Sequence, residues 1–235
     1  MKELIRLGDV TIEVTRKEIR NVHLSVHPPD GRVTLAAPKG TRLEVARAYA
    51  SSRIGWIRKQ QEKLRGQARE TPRKFVERES HELWGRRHLL RVCYADSKPS
   101  VSLDHKRITL TVRPGSDQEK RAEVIHEWHK ALLHGVVPDL IGKWERRLRV
   151  KVEGYFLQRM KTRWGSCNPG TRHIRLNTEL VKKPKELLEY VIVHEMVHLL
   201  EPTHSERFIF ILQTHYPGWK EARAELNELP LAAER

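Results

Sequence analysis

The stretch Leu187-Leu188-Glu189-Tyr190-Val191-Ile192-Val193-His194-Glu195-Met196-Val197-His198 decides how this chain is read. It follows Pro184, a residue suited to opening a helix, and it ends in the pattern H-E-x-x-H. In a helix, side chains four apart lie one turn apart on the same face. At about 100° per residue, Leu187, Val191, His194 and His198 fall within about 60° of one another, so both imidazoles continue the stripe that faces the core. Inward-facing histidines need partners, and one Zn²⁺ per chain supplies them. Each neutral ring offers a nitrogen at ~2.0 to 2.1 Å, and a catalytic zinc takes three protein ligands and keeps one position for water. Glu195, one residue around the helix, reaches that water as the catalytic acid/base.

The helix is expected to run from Pro184 to about Leu200, with Pro202 ending it. His204 is the candidate third metal ligand. Thr203 and Glu206 have capping-box spacing for a following helix carried by Phe208, Ile211, Leu212 and Trp219, which places His204 in its first turn and folds it back toward the metal. The spacing equals that of metzincins, but Glu201 stands at the glycine position and no Met follows His204, which excludes that class. The competing reading makes His194 and His198 ordinary core histidines and His204 an exposed helix-start residue. The other ten histidines are structural. His126 and His129 are three apart without a third ligand, and Cys93 and Cys167 read as small core residues.

Upstream of the metal helix, residues 155–164 and 173–177 read as strands around the turn Asn168-Pro169-Gly170. Residues 173–177 are expected to line the cleft and to pair with an extended peptide. In the intervening segment Trp164-Gly165-Ser166-Cys167, Gly165 permits close backbone approach, and Arg163 or Lys161 meets an anionic group of a substrate. Trp164 either contacts substrate or packs under the metal helix. Asn177 either holds a substrate carbonyl or caps the next turn, the cap being favoured.

The rest of the chain divides by charge. Lys plus Arg number 45 against 30 Asp plus Glu, a formal +15, and residues 1–75 hold 17 basic and 8 acidic side chains. Residues 1–75 read as a basic sheet-and-helix region and 76–235 as the catalytic domain. Val10, Ile12 and Val14 alternate as a half-buried strand does, and the turn Pro28-Pro29-Asp30-Gly31 separates two further short strands. Thr41 and Glu44 open one amphipathic helix through Leu64, and residues 66–80 read as a linker. Strands follow at Leu89–Tyr94, Val101–Leu103 and Ile108–Val112. Ser116 and Glu119 then cap a helix to about His134, which Gly135 and Pro138 interrupt before a second one to Arg149. No internal repeat is evident. Arg53, Arg58, Lys59, Lys63 and Arg65 form either a solvated face or a dock for nucleic acid or an acidic protein. The longest apolar run, Phe208–Leu212, is far short of the ~20 residues a bilayer helix needs, so no membrane partner is expected. Two cysteines and no apolar leader point to the cytoplasm.

The residues Met160-Lys161-Thr162-Arg163-Trp164-Gly165-Ser166-Cys167, then Ile174, Leu176 and Asn177, then Tyr190, Val191 and His194 to His198, then His204, Ser205 and Phe208 resemble the YgjP-like metallopeptidase domain family. The similarity extends along the whole chain, with the N-terminal sheet and the Trp56 helix in the same order. It implies a zincin-like fold, His194, His198 and His204 as zinc ligands, and Glu195 as acid/base. Met196 stands where the family usually has Leu, a nearly volume-conserving exchange. Members are called peptidases from the motif, some carry a nucleoside triphosphate (UTP-type) pyrophosphatase label, and others accompany DNA-restriction loci. The expectation is an α+β zinc hydrolase acting on peptides. The alternatives are a metal-dependent nucleotide pyrophosphatase, for which Lys161 and Arg163 suit the charge, and a zinc-stabilised module that binds nucleic acid or a restriction complex.

Overall fold

The computed structural model describes residues 2–27, 31–66, 73–160 and 163–228. These form an α+β fold of two compact units, 1–70 and 71–233, with three small sheets among the described residues.

The first unit contains β1 (Lys2–Leu7), β2 (Val10–Lys17), β3 (His23–His27) and β4 (Arg32–Pro38), followed by α1 (Leu43–Ser52) and α2 (Ile54–Gly66). The sheet order is β1-β2-β4-β3, with β2 and β4 parallel and both outer pairs antiparallel. Alternation is the cause of its sidedness. Val10, Ile12 and Val14 of β2 and Val33, Leu35 and Ala37 of β4 are buried against Ala46, Ala50 and Ile57 of the helices. The single helix expected from Thr41 to Leu64 is two. Ser52 Oγ donates to the Tyr49 carbonyl at 2.8 Å and Arg53 leaves helical geometry (φ −108°, ψ 8°), a local competition that serines favour. Arg42, not Thr41, is the N-cap residue.

The second unit opens with β5 (Ser80–Leu83), β6 (Arg86–Tyr94), β7 (Ser100–Leu103) and β8 (Arg107–Val112). Its order is β5-β6-β8-β7, with β6 and β8 parallel and both outer pairs antiparallel. This repeats the topology of β1–β4, against the expectation that the chain has no internal repeat. A trace survives in sequence, since β4 begins Arg32-Val33-Thr34-Leu35 and β8 begins Arg107-Ile108-Thr109-Leu110.

α3 (Gln118–His134) and α4 (Val137–Leu148) follow, with the expected break between them. The cap of α3 is Asp117, whose carboxylate accepts from Lys120 N at 2.7 Å; Ser116 turns back to the Arg113 carbonyl instead. The third sheet comprises β9 (Gly154–Gln158), β10 (Gly165–Asn168) and β11 (His173–Asn177) in the order β10-β11-β9. Of the strand expected over 155–164, β9 takes up the first part, and residues 161 and 162 lie outside the described residues. β10 and β11 make the hairpin across Asn168-Pro169-Gly170, and β9 joins β11 in parallel.

A 3-10 helix, Thr178–Lys182, leads into α5 (Lys185–Val197), and α6 (Glu206–His215) and α7 (Trp219–Glu228) complete the unit. The β5–β6 turn anchors the start of α5. Trp84 N donates to the Val181 carbonyl at 2.8 Å and Gly85 N to that of Lys182 at 3.1 Å. Gly85 has φ +74°, and a Cβ there would stand 2.8 Å from Pro184 Cγ. The sequence placed Phe208 to Trp219 on one helix, but Tyr216 caps α6 and α7 begins at Trp219. The core joining α4 to α7 is apolar and includes the fully buried Trp144, whose Nε1 donates to Glu189 at 2.8 Å.

Candidate metal centre

α5 buries nearly every side chain from Leu187 to Val197, because its sequence is apolar almost all round and it is covered by β10, β11, α4, α6 and α7. H-E-x-x-H lies at its C-terminal end. The helix closes at Val197 rather than Leu200, and His198 is its C-cap, because Leu199 N and Leu200 N bond back to the Met196 and Val197 carbonyls in a tighter turn. That turn serves His198, whose Nδ1–H donates to the Glu201 carbonyl at 3.1 Å and leaves Nε2 free.

His204 lies two residues before α6, just ahead of its N-cap, rather than in its first turn. Ser205 is the N-cap of α6, accepting from Phe208 N at 3.3 Å, while Thr203 donates to Glu201 Oε1. The capping pattern was offset by two residues, yet the chain still folds back. One ligand atom from each of His194, His198 and His204 lies within 4.8 Å of the others, and Nε2 of His194 and of His204 are 3.0 Å apart. Phe208 packs against all three rings, with centroids 4.6 to 5.0 Å away.

The three nitrogens suit a metal on their own chemistry. Burial, together with His198, His204 and Arg223 nearby, pushes His194 down to about 3, and burial also lowers His198. Both rings are therefore neutral at physiological pH, with a lone pair to give. His194 Nδ1 is buried with no partner among the described residues, so this ring gains little from the protein alone. Neutral imidazoles converging at this spacing, with a carboxylate beside them, are a donor set that fits zinc.

Glu195 is 6% exposed, and burial raises its carboxyl to about 8 against the opposing effect of Arg163. It lies against β10. A Cβ on Gly165 would stand 2.7 Å from Glu195 Oε1 and 2.8 Å from its Cγ, so only glycine lets this strand approach the carboxylate so closely.

Triad and Glu195 open into a cleft of about 940 Å³ bordered by Arg163 to Cys167, by α6 and by α7. Arg163 and Trp164 are thus brought to the cleft. Lys183, itself 1% exposed, stands under Trp164 with Nζ 5.8 Å from the ring centroid, so packing and cleft lining coincide in this tryptophan. Lys161 lies outside the described residues. Asn177 is not brought to the cleft. It is buried, its Oδ1 accepts from Glu179 N at 3.1 Å as the cap of the 3-10 helix, and its Nδ2 donates to the carbonyls of Met160 (2.8 Å) and Arg163 (2.9 Å). It fixes the loop that carries Trp164 and Gly165. Residues 173–177, expected to meet a peptide, are β11, the central strand, whose ladder positions are filled on both sides. The edge strand beside α5 is β10. Cys167 lines the cleft and is half-buried rather than a core residue.

Among the cleft residues unread as such in the sequence are Tyr190, as a wall, and Trp219, Arg223, Leu226 and Asn227 of α7. Their signal was spacing, since Tyr190 is one turn before His194, and Trp219, Arg223 and Leu226 recur at helical intervals. In the first unit, Arg53, Arg58 and Lys59 are exposed, Arg58 pairing with Asp9 at 2.7 Å; the side chains of Lys63 and Arg65 lie outside the described residues. Among the described residues no helix is long and apolar enough to cross a membrane.

Among solved structures, the metallopeptidase zymogen abylysin of Pyrococcus abyssi is 22% identical, over 39% of this chain and 91% of that one, with a TM-score of 0.37. The metallopeptidase zymogen jannalysin of Methanocaldococcus jannaschii is 23% identical over 38% and 92%, with a TM-score of 0.35. No curated protein matches. The YgjP-like metallopeptidase domain matches residues 20–229, the metal helix, its third histidine and the repeated sheet included, and the chain therefore belongs to the YgjP-like metallopeptidase family.

Proposed function

We propose that the protein is a zinc-dependent peptidase in which His194, His198 and His204 hold the metal and Glu195 is the acid/base. The observation that carries this is the convergence of three imidazoles within 4.8 Å beside a buried carboxylate in an open cleft. Zinc held by His194, His198 and His204 would supply Lewis-acid polarisation of the scissile carbonyl and a water of lowered pKa. Glu195 is placed to take up a proton on its carboxylate beside the triad and to return it to the leaving amine. Without the metal, burial raises this carboxyl to about 8, so it holds its proton at neutral pH; Arg163 acts in the opposite direction, and a cation held by the three histidines would add to that effect and bring the carboxylate into the range of a general base.

Gly165 keeps β10 against Glu195 and so holds the carboxylate in place. The free edge of β10 is the strand beside which an extended peptide lies, the role that β11 is too central to fill. Trp164 forms an apolar wall for side chains of that peptide, and the fully buried Phe208 and Leu212 lie behind the cleft surface.

The test uses zinc-loaded protein on a panel of unfolded proteins, peptides and nucleoside triphosphates. Peptide cleavage is expected, and Glu195→Gln is expected to retain zinc while turnover falls by on the order of 10² to 10⁴. Gly165→Ala displaces the same carboxylate and is expected to cost about 10²-fold with metal retained. Pyrophosphate release without cleavage of any peptide would reverse the substrate assignment.

A further inference from the structure

The charge of the cleft wall carries an inference about substrate choice that rests on the peptidase reading above. Among the described residues that line the cleft, Glu195 is the one carboxylate, and Arg163 and Arg223 are the two guanidinium groups. Arg223 comes from α7. At about 100° per residue, Trp219, Arg223, Leu226 and Asn227 share an arc of about 100°, and all four line the cleft. Trp219 and Leu226 are buried, and Trp219 Nε1 donates to Gln213 Oε1 of α6 at 2.9 Å, so the wall that carries Arg223 is packed and tied. Arg223 itself is exposed. Arg163 borders the cleft just before β10 and Arg223 borders it from α7, so the two cations reach the cleft from different elements of its wall.

We infer that Arg223 is a specificity-determining residue that holds a carboxylate of the peptide substrate on one side of the scissile bond. A guanidinium presents a fork of N–H donors that matches a carboxylate in two-point contact. The surrounding wall is apolar, with Trp219, Leu212 and Leu226, which suits a single charged side chain or chain terminus set among apolar neighbours. The carboxylate has two sources, an Asp or Glu side chain and the C-terminus of a short peptide.

Binding to metal-free protein tests this without calling on turnover. Fluorescent peptides carrying Glu or Gln at successive positions, each as free acid and as C-terminal amide, are titrated by anisotropy against wild type, Arg223→Gln and Arg223→Lys. Wild type is expected to favour the carboxylate form at one position by about tenfold. Arg223→Gln should bring that ratio close to one, and Arg223→Lys should retain part of it. Loss with Gln at an internal position identifies an acidic side chain, and loss with the amide identifies the terminus. A preference that persists in Arg223→Gln, or a wild type blind to charge, would overturn the inference. So would a UTP affinity that depends on Arg223 while no peptide ratio does. Failure of the zinc-loaded enzyme to cleave any peptide would instead strike the peptidase reading and leave the binding ratio standing.

Discussion

The sheets β1–β4 and β5–β8 have the same strand order and the same strand senses, but they bury different chemistry. The first covers an entirely apolar core of Ile, Val, Leu and Ala. The second covers Leu90, Ile108, Leu110, Val112 and Ile125 and also buries His81, His88 and His129. Their first hairpins differ in the same way. The loop Gly8-Asp9 ends in an exposed ion pair between Asp9 and Arg58. The loop Trp84-Gly85 is hydrogen-bonded to the 3-10 helix before α5, with Lys185 Nζ 5.2 Å from the Trp84 ring centroid. Topology alone therefore does not confer a role. The second sheet supports the metal helix because its turn accepts positive φ at a tryptophan, φ 50°, in exchange for two backbone hydrogen bonds.

Matched substitutions sharpen this contrast. Leu35 and Leu110 are the fourth residues of the two related strand starts and both are fully buried. Alanine at either is expected to cost about 2 to 5 kcal/mol in chemical denaturation. Metal affinity should survive Leu35→Ala, and equal loss of metal in the two variants would break the distinction between the sheets.

Glycine in the two hairpin loops gives a smaller effect. Gly8 has φ +63° and open space, with only Arg58 Nη2 3.9 Å from an added Cβ, so Gly8→Ala is expected to cost about 1 kcal/mol of backbone strain. Gly85→Ala adds a collision with Pro184 to the same strain and is expected to cost about 2 to 3 kcal/mol by thermal unfolding. A smaller loss at Gly85 than at Gly8 would remove the turn from the support of α5.

pH separates the sheets more gently. Burial lowers His81 below 6.5 although its Nε2–H donates to Glu79 at 2.9 Å, and burial with Lys182 and His81 nearby holds His129 well below 6.5. These rings stay neutral in the fold while the unfolded chain takes up protons, so stability present above about pH 6.5 is lost as pH falls. Glu79 adds to this below 4.5. Its burial is outweighed by N–H donors from Lys74 and Phe75 and by His81, and a lowered carboxyl loses its contribution as pH falls through the folded value. Amide hydrogen exchange at pH 7.5 and 5.5, corrected for intrinsic rates, should show protection falling in α3 and β5 more than in β2 and β4. Equal loss would contradict the assignment.

The contrast also marks what could be read from residues. Period-two and period-3.6 patterns located β2, β3, β4, β6, β7 and β8 and the inward phase of His194 and His198, because these depend on neighbours in sequence, whereas β1 and β5, the first strand of each sheet, went unread. Caps were misplaced by one or two residues, at Asp117 and Ser205, because several adjacent polar side chains compete for the same N–H groups. The repeat of the sheet left only a four-residue trace, since many strand sequences satisfy one topology. Roles set by distant partners were not legible. Asn177 pins a loop from 14 and 17 residues away, Arg223 enters the cleft from α7, and the order of β10 and β11 decides which strand has a free edge.

The central claim is that three histidines from α5 and the turn before α6 hold one zinc. Elemental analysis of purified wild type and His204→Ala tests it most directly. About one zinc per chain is expected in wild type, with most of it lost in the variant while the far-ultraviolet circular dichroism is unchanged. Full zinc occupancy in His204→Ala, or a folded wild type that takes up no zinc at micromolar concentration, would contradict the account.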